Sequence, residues 1–348
     1  MALTPLQDSV GTKRIEYIDA LRGFTMFLVV AHHISNMCFN VIGTGVPSIT
    51  RYLLQIRMPL FYFISGFVLY KAGVVWDKEQ IVKFFKKKIP VQLISPFIFF
   101  FTLVFVRKLD LMESIFADGK VGYWFTYVLF EYFVLYAIVR HFIRNKWADV
   151  VLILLGIVLY ATRWPFLKDY IPIPGNILSL LSFEHWYLFL FFAIGNLTRK
   201  YFKEVEKFLD HKWTLTVCIL FYFLVNAFRL GRFAPHIIVF PMLSLTGLII
   251  VFSFFRKKQA LFSKETRLGR IMQYTGRRTL DIYLLHFFFI PYNLIFFTLF
   301  KDHPMPILEF AASAIIAILI IAMCLLVSNI IRLSPFLAHW LFGAKKEQ

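Results

Sequence analysis

The sequence predicts an all-α polytopic membrane protein of about ten transmembrane helices with both termini cytoplasmic, and three observations predict it. Of the 348 residues, 59% are hydrophobic, against roughly 45–50% in an ordinary soluble domain. Charged residues fall to 17% while aromatic residues reach 19%, Phe alone contributing 43, so a disordered chain is excluded along with a soluble one. Ten apolar stretches approach the roughly 17–25 residues a helix needs to cross the hydrocarbon core, and the basic residues between them alternate in density.

In chain order the predicted spans are Gly23–Asn40, Leu53–Tyr70, Pro90–Val106, Tyr123–Val139, Ala148–Thr162, Phe183–Leu197, Thr214–Phe228, His236–Phe255, Thr279–Leu299 and Ile307–Ile331. The fifth is short. With the N-terminus inside, the inner segments hold 28 of the 38 Lys and Arg residues, the outer ones hold 9, and Arg57 falls within a span. Cytoplasmic loops retain basic residues during insertion, so the alternation supports both the count and the orientation. The formal charge of +18 then reflects topology, and a nucleic-acid partner is not expected. The reading divides the chain into a cytoplasmic segment at 1–22, a ten-helix membrane domain at 23–331 and a cytoplasmic tail at 332–348. The proline-rich outer segment Arg163–Ser182 is at most a small lid. Cys38, Cys218 and Cys324 lie too far apart to read as a disulfide framework or a metal site. The first 23 residues hold no apolar run followed by a small-residue cleavage site, so no signal peptide is expected.

Ionisable groups within apolar spans are costly and mark function by default. The first span places Asp19 and Arg22 at its cytoplasmic end and His32 and His33 deep inside. Eleven residues are about 16 Å of helix and only about 20° out of register over three turns, so Arg22 and His33 share a face while His32 points elsewhere. Asp19, three residues before Arg22, either orients the guanidinium or caps the helix N-terminus.

This segment resembles the acyltransferase-3 family of integral membrane O-acyltransferases, whose first helix carries Asp-x-x-Arg-Gly and an Arg separated by ten residues from a His; Asp19, Arg22, Gly23 and His33 match in register. The resemblance continues through Phe63-Ile-Ser65-Gly66-Phe, Tyr123-Trp124-Phe125, Phe192-Ala-Ile-Gly195 and Thr279-Leu-Asp-Ile-Tyr283-Leu-Leu-His286, covering essentially the whole chain. One departure is visible. Where the family commonly has Arg-x-x-Arg opening the third helix, thought to meet coenzyme A, this chain reads Lys86-Lys87-Lys88-Ile-Pro-Val-Gln92. Three ammonium groups attract phosphate as point charges without the bidentate geometry of arginine.

The resemblance implies transfer of an acyl group, usually acetyl, from cytoplasmic acyl-coenzyme A to a hydroxyl of a cell-envelope carbohydrate, with no metal, in a multi-pass protein of the bacterial inner membrane. The implied partners are the carbohydrate acceptor and membrane lipid. A sugar hydroxyl needs a destination for its proton, and a buried imidazole supplies one; His33 is the candidate, either as general base or as transient acyl carrier. Arg22 approaches the donor phosphates or the thioester carbonyl. Lys86, Lys87, Lys88, Arg277 and Arg278 form a basic rim suited to the donor, though such runs also serve topology and lipid attraction. His286 lines the donor passage on this reading. Glu131 either pairs with Arg57 or, like Arg57, meets the sugar, and His185 at the outer mouth is a further acceptor contact. A secondary transporter or lipid-linked glycan flippase would also use many spans and buried charges; no internal repeat is visible, which counts against that class.

Overall fold

The computed structural model describes residues 15–41, 48–163, 173–228, 236–291, 300 and 303–344. Several of the basic residues counted above, and positions 164–172 of the proline-rich segment, lie outside them. No strand occurs among the described residues, and every element is helical.

α1 (Glu16–Met37) carries Glu16 and Asp19 in its first turn, where carboxylates meet the positive end of the helix dipole. α2 (Ile49–Leu69) starts at Ser48, whose hydroxyl accepts from the Thr50 N–H. α3 (Lys78–Ile89) is capped by Asp77, which accepts from the Gln80 N–H at 2.8 Å. Pro90 offers no N–H, so the regular ladder cannot pass through it. The chain answers with a π-turn over Pro90–Ile94, closed by the Ser95 hydroxyl donating to the Pro90 carbonyl at 3.0 Å, and then continues as α4 (Ser95–Val106). The short α5 (Leu111–Phe116) and a 3₁₀ turn at Lys120–Gly122 lead into α6 (Trp124–Phe142), followed by α7 (Trp147–Ala161). α8 (Gly175–Leu180) and a second 3₁₀ segment (Phe183–Leu188) precede α9 (Phe189–Lys200), α10 (Phe202–Asp210), α11 (Thr214–Ala227) and α12 (His236–Lys257). α13 (Arg267–Arg277), α14 (Thr279–Phe289), α15 (Pro306–Ile331) and α16 (Pro335–Phe342) complete the order.

Among the described residues, five helices are long and apolar enough to cross a membrane: Ile49–Leu69, Lys78–Val106, Trp124–Phe142, Ile237–Lys257 and Pro306–Ile331. A sixth results if α10 and α11, bent by 72°, form one span. α7 and α14 are apolar but shorter. The stretch expected as a single sixth span is divided between the 3₁₀ segment and α9. α1 reaches 22 residues but carries Glu16, Asp19 and Arg22 within its first two turns.

α1 is the axis of the site. It crosses α13 where a methyl on Gly23 would run into the Met272 carbonyl and one on Gly276 into the Asp19 carbonyl. α2 and α9 meet likewise through Gly66 and Gly195, against the carbonyls of Phe192 and Phe63. Small residues at such crossings let helix backbones touch, the packing that drives association in lipid. At the other end of α1, Glu309 of α15 is 1% exposed and accepts from Ser35 (2.5 Å), Ser48 (2.7 Å), Thr50 (3.4 Å) and Ser313 (3.1 Å), tying α1, α2 and α15 through one carboxylate.

Candidate active site

Between α1, α2, the π-turn, α6 and α14 lies a cavity of about 210 Å³, lined by Arg22, His33, Arg57, Ser65, Lys88, Gln92, Trp124, Thr126 and Tyr283 among others. The helical register expected of Arg22 and His33 is realised: both reach the same space. A second cavity of about 310 Å³ adjoins it and shares Arg22, Ser65, Lys88, Gln92 and Leu129 as common walls. Its remaining lining includes Lys71, Lys87, Trp76 and Gln80. The pair forms a basic vestibule leading to a deeper, mixed polar and aromatic chamber. Lys88 sits at the join, its ammonium 4.8 Å from the Phe133 ring centre, a contact that stabilises a cation without neutralising it.

Three histidines cluster at the deep end, and of these only His33 lines the chamber. His33 lies with its ring centre 5.3 Å from that of His286 and 5.5 Å from that of His32. His286 Nδ1 stands 3.0 Å from the Ile282 carbonyl oxygen and 2.8 Å from that of Tyr283. Carbonyl oxygens only accept, so Nδ1 must carry the hydrogen and Nε2 must present its lone pair. That Nε2 is buried and has no hydrogen-bond partner, as is Nδ1 of His33. His286, expected along the donor passage, therefore stands behind His33 with a fixed tautomer and lines neither cavity. His32 is buried at 7% exposure, away from the cavity.

Arg57 enters the chamber from α2, in the same lining as His33. Its expected pairing with Glu131 does not occur. Glu131 Oε2 instead accepts from the indole Nε1–H of Trp186 at 2.8 Å, because the 3₁₀ segment that precedes α9 brings that indole against the carboxylate. His185 stacks on Trp124 with ring centres 3.7 Å apart, and so acts on the chamber through the indole that lines it.

The remaining basic candidates separate. Lys87 and Lys88 line the vestibule, whereas Lys86 is exposed and lines neither cavity. Arg277 donates to the Gln273 side chain at 3.5 Å, and Arg278 pairs with Asp281 at 3.2 Å. Neither lines the two cavities. Asp281, 2% exposed, also receives both Nε and Nη2 of Arg332 at 2.9 Å and the Ser328 hydroxyl. Arg277 and Arg278, expected on a basic rim for the donor, thus stand apart from both cavities; Arg278 pairs locally with Asp281 at the start of α14, and Arg332 and Ser328 tie that carboxylate to α15. Asp19 lies inside α1, whose N-cap is Ile15, so the capping role is excluded; it is buried, and its backbone carbonyl faces Gly276. Among the described residues no group of three or more His, Cys, Asp or Glu side chains is placed to hold a metal ion.

An Arg and a His on one face of the first helix, eleven residues apart, thus meet in one chamber beside a basic vestibule. The sequence profile described as an acyltransferase domain of the acyltransferase-3 family matches residues 15–327. The chain belongs to the acyltransferase-3 family. No curated protein and no solved structure gives a match. As a member of this family the protein is a membrane acyltransferase, and the family implies an acyl donor.

Within the acyltransferase-3 chain, two lining residues escape sequence reasoning. Ser65 is visible in the sequence only as part of a motif. Gln92 lines both cavities, is 8% exposed and has a buried Oε1 without a partner. The signal for it is Pro90 within an otherwise unbroken apolar stretch, because a proline-induced π-turn re-aims the side chains that follow it.

Proposed function

We propose that the protein moves an acetyl or other short acyl group from cytoplasmic acyl-coenzyme A to a hydroxyl of a cell-envelope carbohydrate. It does so as a ten-span protein of the bacterial inner membrane with residues 23–331 in the membrane domain and both terminal segments cytoplasmic. The observation that carries this reading is the shared lining of Arg22 and His33, one at the wall common to both cavities and the other in the inner chamber.

The donor's phosphates suit the vestibule, where Lys71, Lys87, Lys88 and Arg22 offer four cationic side chains. The thioester then extends past Ser65 and Gln92 toward His33. His33 takes the acceptor hydroxyl's proton as that oxygen bonds to the acyl carbon, and the coenzyme A sulfur leaves. His286, holding its own hydrogen on Nδ1, presents only a lone pair toward the interior and so leaves His33 able to accept. Purified protein given labelled acetyl-coenzyme A should transfer the label to glycan or release it by hydrolysis; a transporter or flippase does neither. Cysteines placed at Arg270 and at Asn176 test sidedness, the first labelling with an impermeant thiol reagent only in opened membranes and the second in intact spheroplasts.

A further inference from the structure

A guanidinium within an apolar span is costly unless an anion accompanies it. Arg57 has none: among the described residues it makes no ion pair and no hydrogen bond, and its Nε is shut off from solvent without a partner. The nearest expected carboxylate, Glu131, is engaged by Trp186. A second cation stands close by. Arg163 packs its guanidinium 4.1 Å from the Tyr187 ring centre and 5.1 Å from that of Phe240, with Nη1 buried and unpartnered. The buried carboxylates of Asp149, Asp281 and Glu309 are each held by several donors elsewhere. Asp19, also buried, lies fourteen residues before His33 on α1, about 21 Å away along the helix.

The donor's phosphates do not supply the missing charge on the reading above, because they are held in the vestibule. Ser65, on the wall shared by the two cavities, is eight residues along α2 from Arg57, about 12 Å of helix. We propose that the acceptor is an acidic sugar, whose carboxylate or phosphate pairs with Arg57 while a neighbouring hydroxyl is presented to His33. The inference rests on the acyl-transfer reading and narrows its substrate class. In the step itself the hydroxyl proton passes to His33, the sugar oxygen bonds to the acyl carbon, the carbon–sulfur bond breaks, and the thiolate leaves to be protonated from His33.

The test uses the full-length protein in detergent micelles and saturation-transfer NMR with three probes: methyl glucuronide, glucose 1-phosphate and neutral methyl glucoside. One or both anionic sugars should bind roughly tenfold better than the glucoside, the size expected of a charged hydrogen bond, and which of the two does so distinguishes carboxylate from phosphate. Arg57→Gln should remove that preference, and Arg57→Lys, which keeps the charge, should retain part of it. No preference in the unaltered protein, or an undiminished preference in Arg57→Gln, overturns the proposal. A parallel incubation with labelled acetyl-coenzyme A and whole envelope glycan, separated on an anion exchanger, should place label in the retained fraction. Label only in the neutral fraction overturns the acidic acceptor while leaving acyl transfer standing. Absence of any transfer alongside an intact anion preference refutes acyl transfer and leaves the anion site supported.

Discussion

The ends of the helices that carry Asp149, Asp281 and Arg256 and the interior chamber are both rich in ionisable side chains, yet they use them in opposite ways. In the first region each charge has an opposite charge beside it. Asp149 meets Arg140 at 2.8 Å and Lys200 at 2.5 Å, with the Tyr201 hydroxyl at 2.7 Å. Asp281 meets Arg278 and Arg332, and Arg256 meets Glu206 and Asp210. These networks fasten α6, α7 and α9, then α14 and α15, then α10 and α12. In the chamber, by contrast, His33, Arg57 and Gln92, and His286 directly behind His33, each keep a buried nitrogen or oxygen without a partner. An unmade buried hydrogen bond costs about 1–3 kcal/mol, so four in one place is a penalty that binding of polar substrate groups would offset. Paired charge here holds helices together, even where single atoms such as Arg140 Nε and Arg256 Nε lack a hydrogen bond; among the described residues, Arg57 in the chamber has no opposite charge beside it at all.

That contrast can be broken by mutation, and the largest expected effect is on chemistry. His33→Ala should reduce acyl transfer by roughly 10²–10⁴ with insertion and thermal stability little changed, while His32→Ala leaves transfer within a few-fold. Equal losses in both variants would mean that the pair acts as a structural unit.

The next effect is on stability. Asp281→Ala strips the partner from Arg278 and Arg332, and breaking a buried pair in this way costs about 3–5 kcal/mol; thermal unfolding in detergent should show a large drop. Arg57→Gln removes a cation with no partner, and should leave the unfolding temperature unchanged or raise it. A protein that loses as much stability from Arg57→Gln as from Asp281→Ala would erase the distinction between the two regions.

A smaller change is expected at His286. His286→Gln retains a donor toward the Ile282 and Tyr283 carbonyls but loses the ring against His33, and turnover should fall by roughly tenfold with donor KM nearly constant. A rise in donor KM instead would return His286 to the donor passage.

The smallest effect separates neighbouring lysines. Lys88→Gln should raise donor KM by a few-fold and flatten its dependence on ionic strength, since an ammonium acts on phosphate as a screened point charge. Lys86→Gln, on the exposed face, should leave both unchanged. If the two variants behave alike, the vestibule is not where the donor's phosphates bind.

Much of the site is legible in the sequence, and particular residues show why. Helical periodicity alone places Arg22 and His33 on one face, and it needs no knowledge of neighbours. Lys87 and Lys88 stand out as a charge run, but the same run contains Lys86, and only the orientation of α3 separates them. Opposite charge at similar depth suggests a pairing of Glu131 with Arg57; Trp186, fifty-five residues further along, takes the carboxylate instead.

By itself the sequence determined the helical class, the membrane character and the Arg–His register, because these follow from local composition and from a repeat of 3.6 residues that any α-helix must obey. Tertiary structure alone decided which polar groups end up satisfied. Whether Arg278 lines a donor site or clamps Asp281, whether His286 presents Nδ1 or Nε2, and whether Arg57 finds a carboxylate all depend on which helix lies within hydrogen-bonding distance, about 3 Å. Close helix approach of that kind is what the glycine crossings at Gly23, Gly66, Gly195 and Gly276 bring to α1 and α13 and to α2 and α9, and no local pattern in the sequence reports it.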